Sequence, residues 1–204
     1  MKIRAILWDF GDTLADERWM RAPLEGVPDW PEIYSEFVEA DLAHRNPVAL
    51  EWMIGATTAD DVASELGRIA EVNAGKVRAH MDKCCREVTF YPRVDALTQR
   101  CALPQAVVTI NPDIFSTVIV PAYDLDARFQ PIVTSWEERT RSKADICDIA
   151  IERFDQVYER GECLLVDNVT ENVADWRDRG GAAYHFTGER TLYEAFDDLL
   201  KGGT

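Results

Sequence analysis

Five short apolar, largely β-branched runs, separated by helical patterns, constrain this chain more than any other feature. They cover residues 3–8 (IRAILW), 105–109 (QAVVT), 131–134 (PIVT), 162–166 (ECLLV) and 182–186 (AAYHF). Runs this short that stay apolar suit strands covered on both faces, as in a parallel sheet. Between the later runs the period changes. Residues 143–158 carry apolar side chains at 146, 149, 150, 151, 154 and 157, close to a helical repeat. Residues 94–101 precede the second run. Residues 170–179 end before Gly180 and Gly181, a helix C-terminal signal, and 191–201 close the chain. Strand alternating with helix predicts a doubly wound α/β sheet.

Residues 15 to about 89 break that rhythm and read as helices throughout, over 30–44, 47–54, 58–72 and 75–85. Thr58 is placed to cap the third of these, with Asp60 and Asp61 in its first turn, where acids oppose the helix dipole. The expected organisation is a Rossmann-like core, 1–14 and 90–204, interrupted by an all-helical cap, 15–89.

Composition narrows the function. The net charge of −15 argues against nucleic acid and against anionic membranes, which recruit Lys and Arg. No apolar run approaches the roughly 20 residues that span a bilayer. The six-residue N-terminal apolar stretch ends in acids and does not read as a signal peptide. A cytoplasmic protein is expected. The five cysteines form no C-x-x-C pair and suit a reducing compartment. Three scattered histidines, His44, His80 and His185, make a zinc site a poor expectation. An acidic protein that handles an anionic substrate needs a local positive device: a metal, a lysine or helix N-termini.

In an open α/β sheet, ligands bind at the carboxyl ends of the strands. Asp9 follows the first run, and Thr109 and Asn111 close the second. Lys143 opens the helix after the third, and Asp167 and Asn168 follow the fourth. A carboxylate, a hydroxyl, an ammonium and an acid–amide pair would then converge on one crevice. The helix dipole disfavours a cation at a helix start, so Lys143 calls for an anionic partner.

These residues resemble the four motifs of the haloacid dehalogenase-like (HAD) hydrolase superfamily. "WDFGDTL" is similar to its first motif, a strand ending in D-x-D-x-T, with Asp9 first and Thr13 as the hydroxyl residue. "AVVTIN" supplies Thr109, "SKADICDIAI" supplies Lys143, and "VDNVTEN" supplies Asp167, Asn168 and Asn172. The helical insertion falls where that superfamily places its C1 cap. The resemblance implies Asp9 as nucleophile, forming an aspartyl ester. Thr109 and Asn111 would contact the substrate, and Lys143 would neutralise nucleophile and substrate. Magnesium would be held by Asp9, the Gly11 carbonyl, Asp167 and Asn168, since it prefers oxygen ligands.

The chain departs from the pattern in a minor way at Ala144, where a proline is common, and at Ile110, which shifts Asn111 from Thr109, and more consequentially at two places. Gly11 stands where phosphatases of the superfamily carry a second acid, the general acid/base, and Asp12 is one position late. General acid catalysis is typically worth about 10²–10⁴-fold, and its loss is tolerable only for a leaving group that needs little or no proton. A halide needs none. An acyl or anomeric phosphate needs less help than an alkyl phosphate. Asn168 stands where the second acid of a D-D pair is common. Dehalogenases of the superfamily work without metal and carry Ser and Asn here, yet this chain keeps Asp167 and matches neither type fully. "LEWMIGATTADDVASELG" further resembles the cap of the α-glucose-1-phosphate phosphatase-like subgroup, which also tends to D-x-G.

The expected function is magnesium-dependent hydrolysis of a small phosphorylated metabolite through an Asp9 ester. The alternatives are metal-independent hydrolysis of a carbon–halogen bond, and a weakened relative that binds a phosphorylated ligand or a partner without turnover. In the cap, Trp19, Met20, Trp30, Trp52 and Met53 are expected in the core, and Arg18, Arg21 and Arg45 in solvent. Substrate identity and oligomeric state are not set by the sequence.

Overall fold

The structure is a computed structural model that describes residues 2–42 and 47–200. Its centre is a five-stranded parallel sheet of order β3-β2-β1-β4-β5. The strands are β1 (Ala5–Trp8), β2 (Gln105–Thr109), β3 (Ile132–Thr134), β4 (Cys163–Asp167) and β5 (Ala182–His185). Each overlaps one of the five apolar runs, trimmed by a residue or two at some ends, and β4 runs one residue further, to Asp167. All four residues of β1 are buried. Alternate side chains enter two separate cores. Ala5 and Leu7 join Val108, Leu165 and Trp176 on one face, while Ile6 and Trp8 join Val107, Val166 and Leu97 on the other. Burial on both faces is why the runs stay apolar instead of alternating.

Between β1 and β2 lie α1 (Trp30–Leu42), α2 (Pro47–Met53), α3 (Ala59–Ile69), α4 (Ala74–Arg86) and α5 (Pro92–Arg100). The first four form the helical insert. Thr58 caps α3 as expected: its side chain accepts from Asp61 N, and the Asp61 carboxylate accepts from Thr58 N at 2.9 Å. After β2 the chain forms a wide helical turn over Phe115–Ile119, then α6 (Val120–Ala122). After β3 come α7 (Ser135–Glu138) and α8 (Lys143–Arg153), after β4 α9 (Thr170–Asp178), and after β5 α10 (Glu189–Leu200). Among the described residues, no helix is long and apolar enough to cross a membrane.

Two helical expectations end early. The helix expected over 58–72 stops at Ile69. The helix expected over 143–158 stops at Arg153. Phe154 turns extended and packs edge-on against Tyr158, 5.3 Å between ring centres, while Val157 is 91% exposed. The apolar residues at 154 and 157 therefore do not continue the buried stripe. The helix expected over 30–44 is described to Leu42, and His44 and Arg45 lie outside the described residues.

The sheet order places a topological switch point at β1 and β4. From β1 the chain moves outward through β2 and β3, then returns to the other side of β1 for β4 and β5. Trp8 is level with Val166, so the next residues, Asp9 and Asp167, end side by side at the same edge. Ligand crevices in open sheets form at such points.

Candidate active site

Asp9 extends β1 by one ladder bond, its N–H donating to Val166 O at 3.0 Å. A tight turn follows, in which Phe10 O accepts from the N–H groups of Leu14 (2.9 Å) and Ala15 (3.1 Å). The turn requires a left-handed backbone at Asp12, φ 51°. That conformation carries the Asp12 carboxylate away from Asp9, and Tyr91 OH donates to it at 3.5 Å. Asp12 lines a different crevice, with Arg18, Tyr91 and Phe186. Asp12, one position late in the sequence, thus faces a crevice other than the one Asp9 lines.

Lys143 is the first residue of α8, whose cap is the Ser142 hydroxyl, accepting from Asp145 N at 3.2 Å. The Lys143 side chain is almost fully buried. Its Nζ donates to Asp9 Oδ1 at 2.6 Å and to Val108 O at 2.9 Å, and pairs with Asp167 Oδ2 at 3.1 Å. Two ammonium protons are hydrogen-bonded, and Asp167 adds an ion pair. One ammonium against two carboxylates leaves the trio with one uncompensated negative charge.

Burial pushes the Asp9 carboxyl up to about 6, against the pull of Lys143 and with help from Asp167. Burial works against charge on Lys143, but Asp9 and Asp167 outweigh it and hold the ammonium above its usual range. Near neutral pH the pair is therefore ionised, carboxylate beside ammonium.

Asp167 is completely buried and its oxygens are occupied. Oδ1 accepts from Val169 N at 2.8 Å, and Asn172 Nδ2 reaches both oxygens at 3.1 Å. Thr13 is buried, its Oγ1 donating to Asp9 Oδ2 at 3.4 Å. Thr109, at the end of β2, is 1% exposed and accepts from Asn111 Nδ2 at 2.7 Å. The Asn168 carboxamide lies 3.3 Å from Asp9 Oδ2 and 3.3 Å from Gly11 O. Both neighbours are acceptors, so the hydrogen-bond network assigns the NH₂ end to them.

These side chains surround a cavity of about 230 Å³. Asp9, Gly11, Thr109, Asn111, Lys143 and Asn168 lie on its wall, and Asp167 stands behind Lys143. The candidate site residues are thus brought to one place, with Thr13 and Asp167 behind the wall against Asp9 and Lys143, while Asp12 lies apart. The insert closes the cavity with Met20, Arg21, Tyr34, Val38, Trp52 and Met53. Met20 and Trp52 are buried in the core and Arg21 is exposed, as expected, and with Met53 they also line this cavity. Trp30 does sit in the core, donating Nε1–H to Met20 O at 3.1 Å. Arg18 turns to Asp16, Nε to Oδ1 at 2.8 Å. The side chain of Trp19 lies outside the described residues.

One residue with no signal in the sequence ties the insert to this site. Asp113, in the loop after β2, accepts from Trp52 Nε1 at 2.7 Å and from Ala59 N, at the start of α3, at 3.0 Å. Beside it, Trp136 Nε1 donates to Thr57 O at 3.1 Å, and Gly55 packs so close that a Cβ would sit 2.2 Å from Trp136 O.

No protein-family model and no curated protein matches the chain. Solved structures do. The fold is similar to L-2-haloacid dehalogenase from Xanthobacter autotrophicus, at TM-score 0.68 and 17% identity, over 96% of this chain and 83% of that one. It is also similar to a predicted HAD-like family hydrolase from Porphyromonas gingivalis, at TM-score 0.69 and 17% identity, over 98% and 99% of the two chains. A third match is a HAD family enzyme from Bacteroides thetaiotaomicron in complex with magnesium and inorganic phosphate, at TM-score 0.63 and 15% identity, over 90% and 93%. The chain therefore has the fold of the HAD-like hydrolases: a five-stranded parallel sheet with a helical insert after the first strand.

Proposed function

We propose that the chain is a hydrolase that forms an ester on Asp9 and displaces a halide from carbon on a small monoanionic substrate, without a metal. The observation that carries this reading is the cavity wall: among the described residues, Asp9 is the one carboxylate that lines it. With Gly11 at the acid/base position and Asp12 in another crevice, no second carboxylic acid among the described residues faces a leaving group. A halide departs without a proton.

Charge points the same way. The Asp9–Lys143–Asp167 trio already carries excess negative charge. A phosphate dianion brought to Asp9 needs a cation beside it. A carboxylate monoanion, its charge turned towards Arg21 at the far wall, does not. The donor set does not fit a resident magnesium ion. Asp167 is spent on Lys143, Asn172 and the backbone, and Asn168 presents NH₂ to the other two oxygens. Among the described residues, no group of three or more His, Cys, Asp or Glu is placed to share a metal.

In this reading the Asp9 carboxylate attacks the carbon, and the carbon–halogen bond breaks with its electron pair leaving on the halide. Water then attacks the ester carbonyl of Asp9. One of its protons goes to the departing alkoxide, and the second is released through the Lys143–Asp167 pair. The sum is substrate plus water giving alcohol, halide and a proton. Thr109, held by Asn111, orients the substrate. The insert acts as a cap that excludes water during displacement.

A second reading, the magnesium-dependent phosphatase expected from the sequence, is favoured by one observation. Asp9 Oδ2, Gly11 O and the Asn168 side chain meet at a single point. A structural neighbour binds magnesium and phosphate. This reading requires Asn168 to turn its oxygen to the ion.

The test is halide and phosphate release from a panel of 2-halocarboxylates and of acyl, anomeric and alkyl phosphates, with chelator and with magnesium. Halide release that persists in chelator and disappears in Asp9→Asn supports the proposal. Magnesium-dependent phosphate release moves the assignment to the second reading. Binding of either class without turnover makes the chain a ligand-binding relative.

A further inference from the structure

We infer that the Asn168 carboxamide holds the place of a divalent cation between Asp9 and the Gly11 carbonyl, and that this one amide makes the site metal-free. The inference rests on Asp9 being the reacting group, as proposed above, but not on which substrate it attacks.

The geometry is that of a bridging ligand position. One atom of the carboxamide lies 3.3 Å from Asp9 Oδ2 and equally far from Gly11 O. Three acceptor oxygens in that arrangement would repel one another unless a cation lay between them. An NH₂ group solves the same problem with two protons, one for each oxygen. The remaining surroundings hold the amide in position. Thr13 Oγ1 lies 3.4 Å from both Asp9 Oδ2 and the Asn168 side chain. The Asn168 carbonyl is met by His185 Nε2 at 3.0 Å, which fixes the backbone from β5.

An amide differs from a dication in one decisive respect: it donates hydrogen bonds but brings no net charge. The trio's excess negative charge therefore remains, and Asp9 stays a charged nucleophile held in place without being neutralised. A neutral bridge suits attack on a carbon whose substrate brings its own charge elsewhere. It suits the approach of a phosphate dianion poorly.

The exchange is predicted to be reversible by one substitution. Asn168→Asp replaces the NH₂ with an oxygen and adds a carboxylate, giving two carboxylates and a carbonyl around one point. That set matches the oxygen preference of magnesium and manganese. The experiment titrates Mn²⁺ alone into the whole protein, followed by Mn²⁺ electron paramagnetic resonance, with melting temperature in Mg²⁺ measured beside it. Wild type, Asn168→Asp and Asn168→Leu are compared.

Wild type is expected to bind no Mn²⁺ at millimolar concentration and to melt at the same temperature with and without Mg²⁺. Asn168→Asp is expected to bind at least ten-fold more tightly than wild type, an order-of-magnitude expectation, and to gain several degrees in Mg²⁺. Asn168→Leu, with neither bridge nor ligand, is expected to bind no Mn²⁺ and to melt below wild type in chelator. Wild type that binds Mn²⁺ as tightly as Asn168→Asp overturns the inference, because Asn168 then acts as an oxygen ligand. Asn168→Leu that melts as high as wild type in chelator also overturns it, because the amide then bridges nothing. None of these readouts uses turnover. A chain that releases no halide would sink the proposed function and leave this result intact.

Discussion

The two walls of the cavity are built on opposite principles. On the core wall, Asp9, Lys143, Thr109 and Asn168 each have a polar partner, and Lys143 alone ties β1, β2 and β4 together. On the insert wall, Met20, Tyr34, Val38, Trp52 and Met53 offer mainly apolar surface, with Arg21 as the single charged residue among those described. A saturated polar wall holds reacting groups still, because each side chain has one low-energy arrangement. An apolar wall with one cation selects by size and by the position of a charge. The core wall decides what chemistry occurs, and the insert wall decides which molecule meets it.

Breaking the core wall at its keystone should have the largest effect. Lys143→Met leaves Asp9 and Asp167 buried and side by side with no counter-charge. Losing one partner from a buried ion pair typically costs about 3–5 kcal/mol, and denaturant unfolding should show a loss of that order. Full stability in this variant would mean that the trio is not the electrostatic unit described.

Next in size is Asp113→Ala, which cuts the tie between the two walls. It removes the acceptor of both Trp52 Nε1–H and Ala59 N–H, at a cost of about 1–3 kcal/mol. The expected kinetic signature is a raised KM with a smaller change in kcat, and Asp113→Asn should recover part of it. If kcat alone falls, Asp113 acts on the chemistry and not on the insert.

On the insert wall, Arg21→Ala should raise KM about ten-fold for an anionic substrate and leave kcat nearly unchanged, the mark of lost uniform binding. An equal fall in kcat would place the Arg21 guanidinium at the reacting end and blur the contrast between the walls.

The smallest effect concerns protons. Asp9 must be ionised to attack, and burial raises it to about 6, so kcat/KM should fall as pH drops through about 6. The sign for stability is opposite. Its folded value lies above the unfolded one, so its contribution is present below about pH 4 and lost as pH rises through about 6. Asp9→Asn should therefore gain more melting temperature over wild type at pH 7.5 than at pH 4.5. An equal gain at both would show that Asp9 does not titrate in this window.

The sheet was legible because strands covered on both faces must be apolar at successive positions, and the site because chemistry at a sheet edge follows the strand ends. Asp9, Thr109, Lys143 and Asp167 are each fixed by the last or first residue of an element, so their order in the chain already predicted their meeting. Helix ends were legible where local capping decides them, as at Thr58. They were not legible where a side chain such as Phe154 leaves the helix for a tertiary partner. The insert wall was opaque for the same reason. Met20, Arg21, Trp52 and Met53 look alike whether a helix face meets a core or a cavity, and only the packing of the insert against the sheet distinguishes the two.

What the sequence alone determined is therefore the parallel α/β core, the helical insert after β1 and the identity of the groups at the strand ends, because these follow from local periodicity and chain order. Only the tertiary structure decided which way Asp12 and Asn168 point, that Asp167 is spent on Lys143 and Asn172, and that Asp113 fastens the insert. Those outcomes depend on contacts between residues far apart in the chain: 134 positions separate Lys143 from Asp9, and 61 separate Asp113 from Trp52. No local pattern records them.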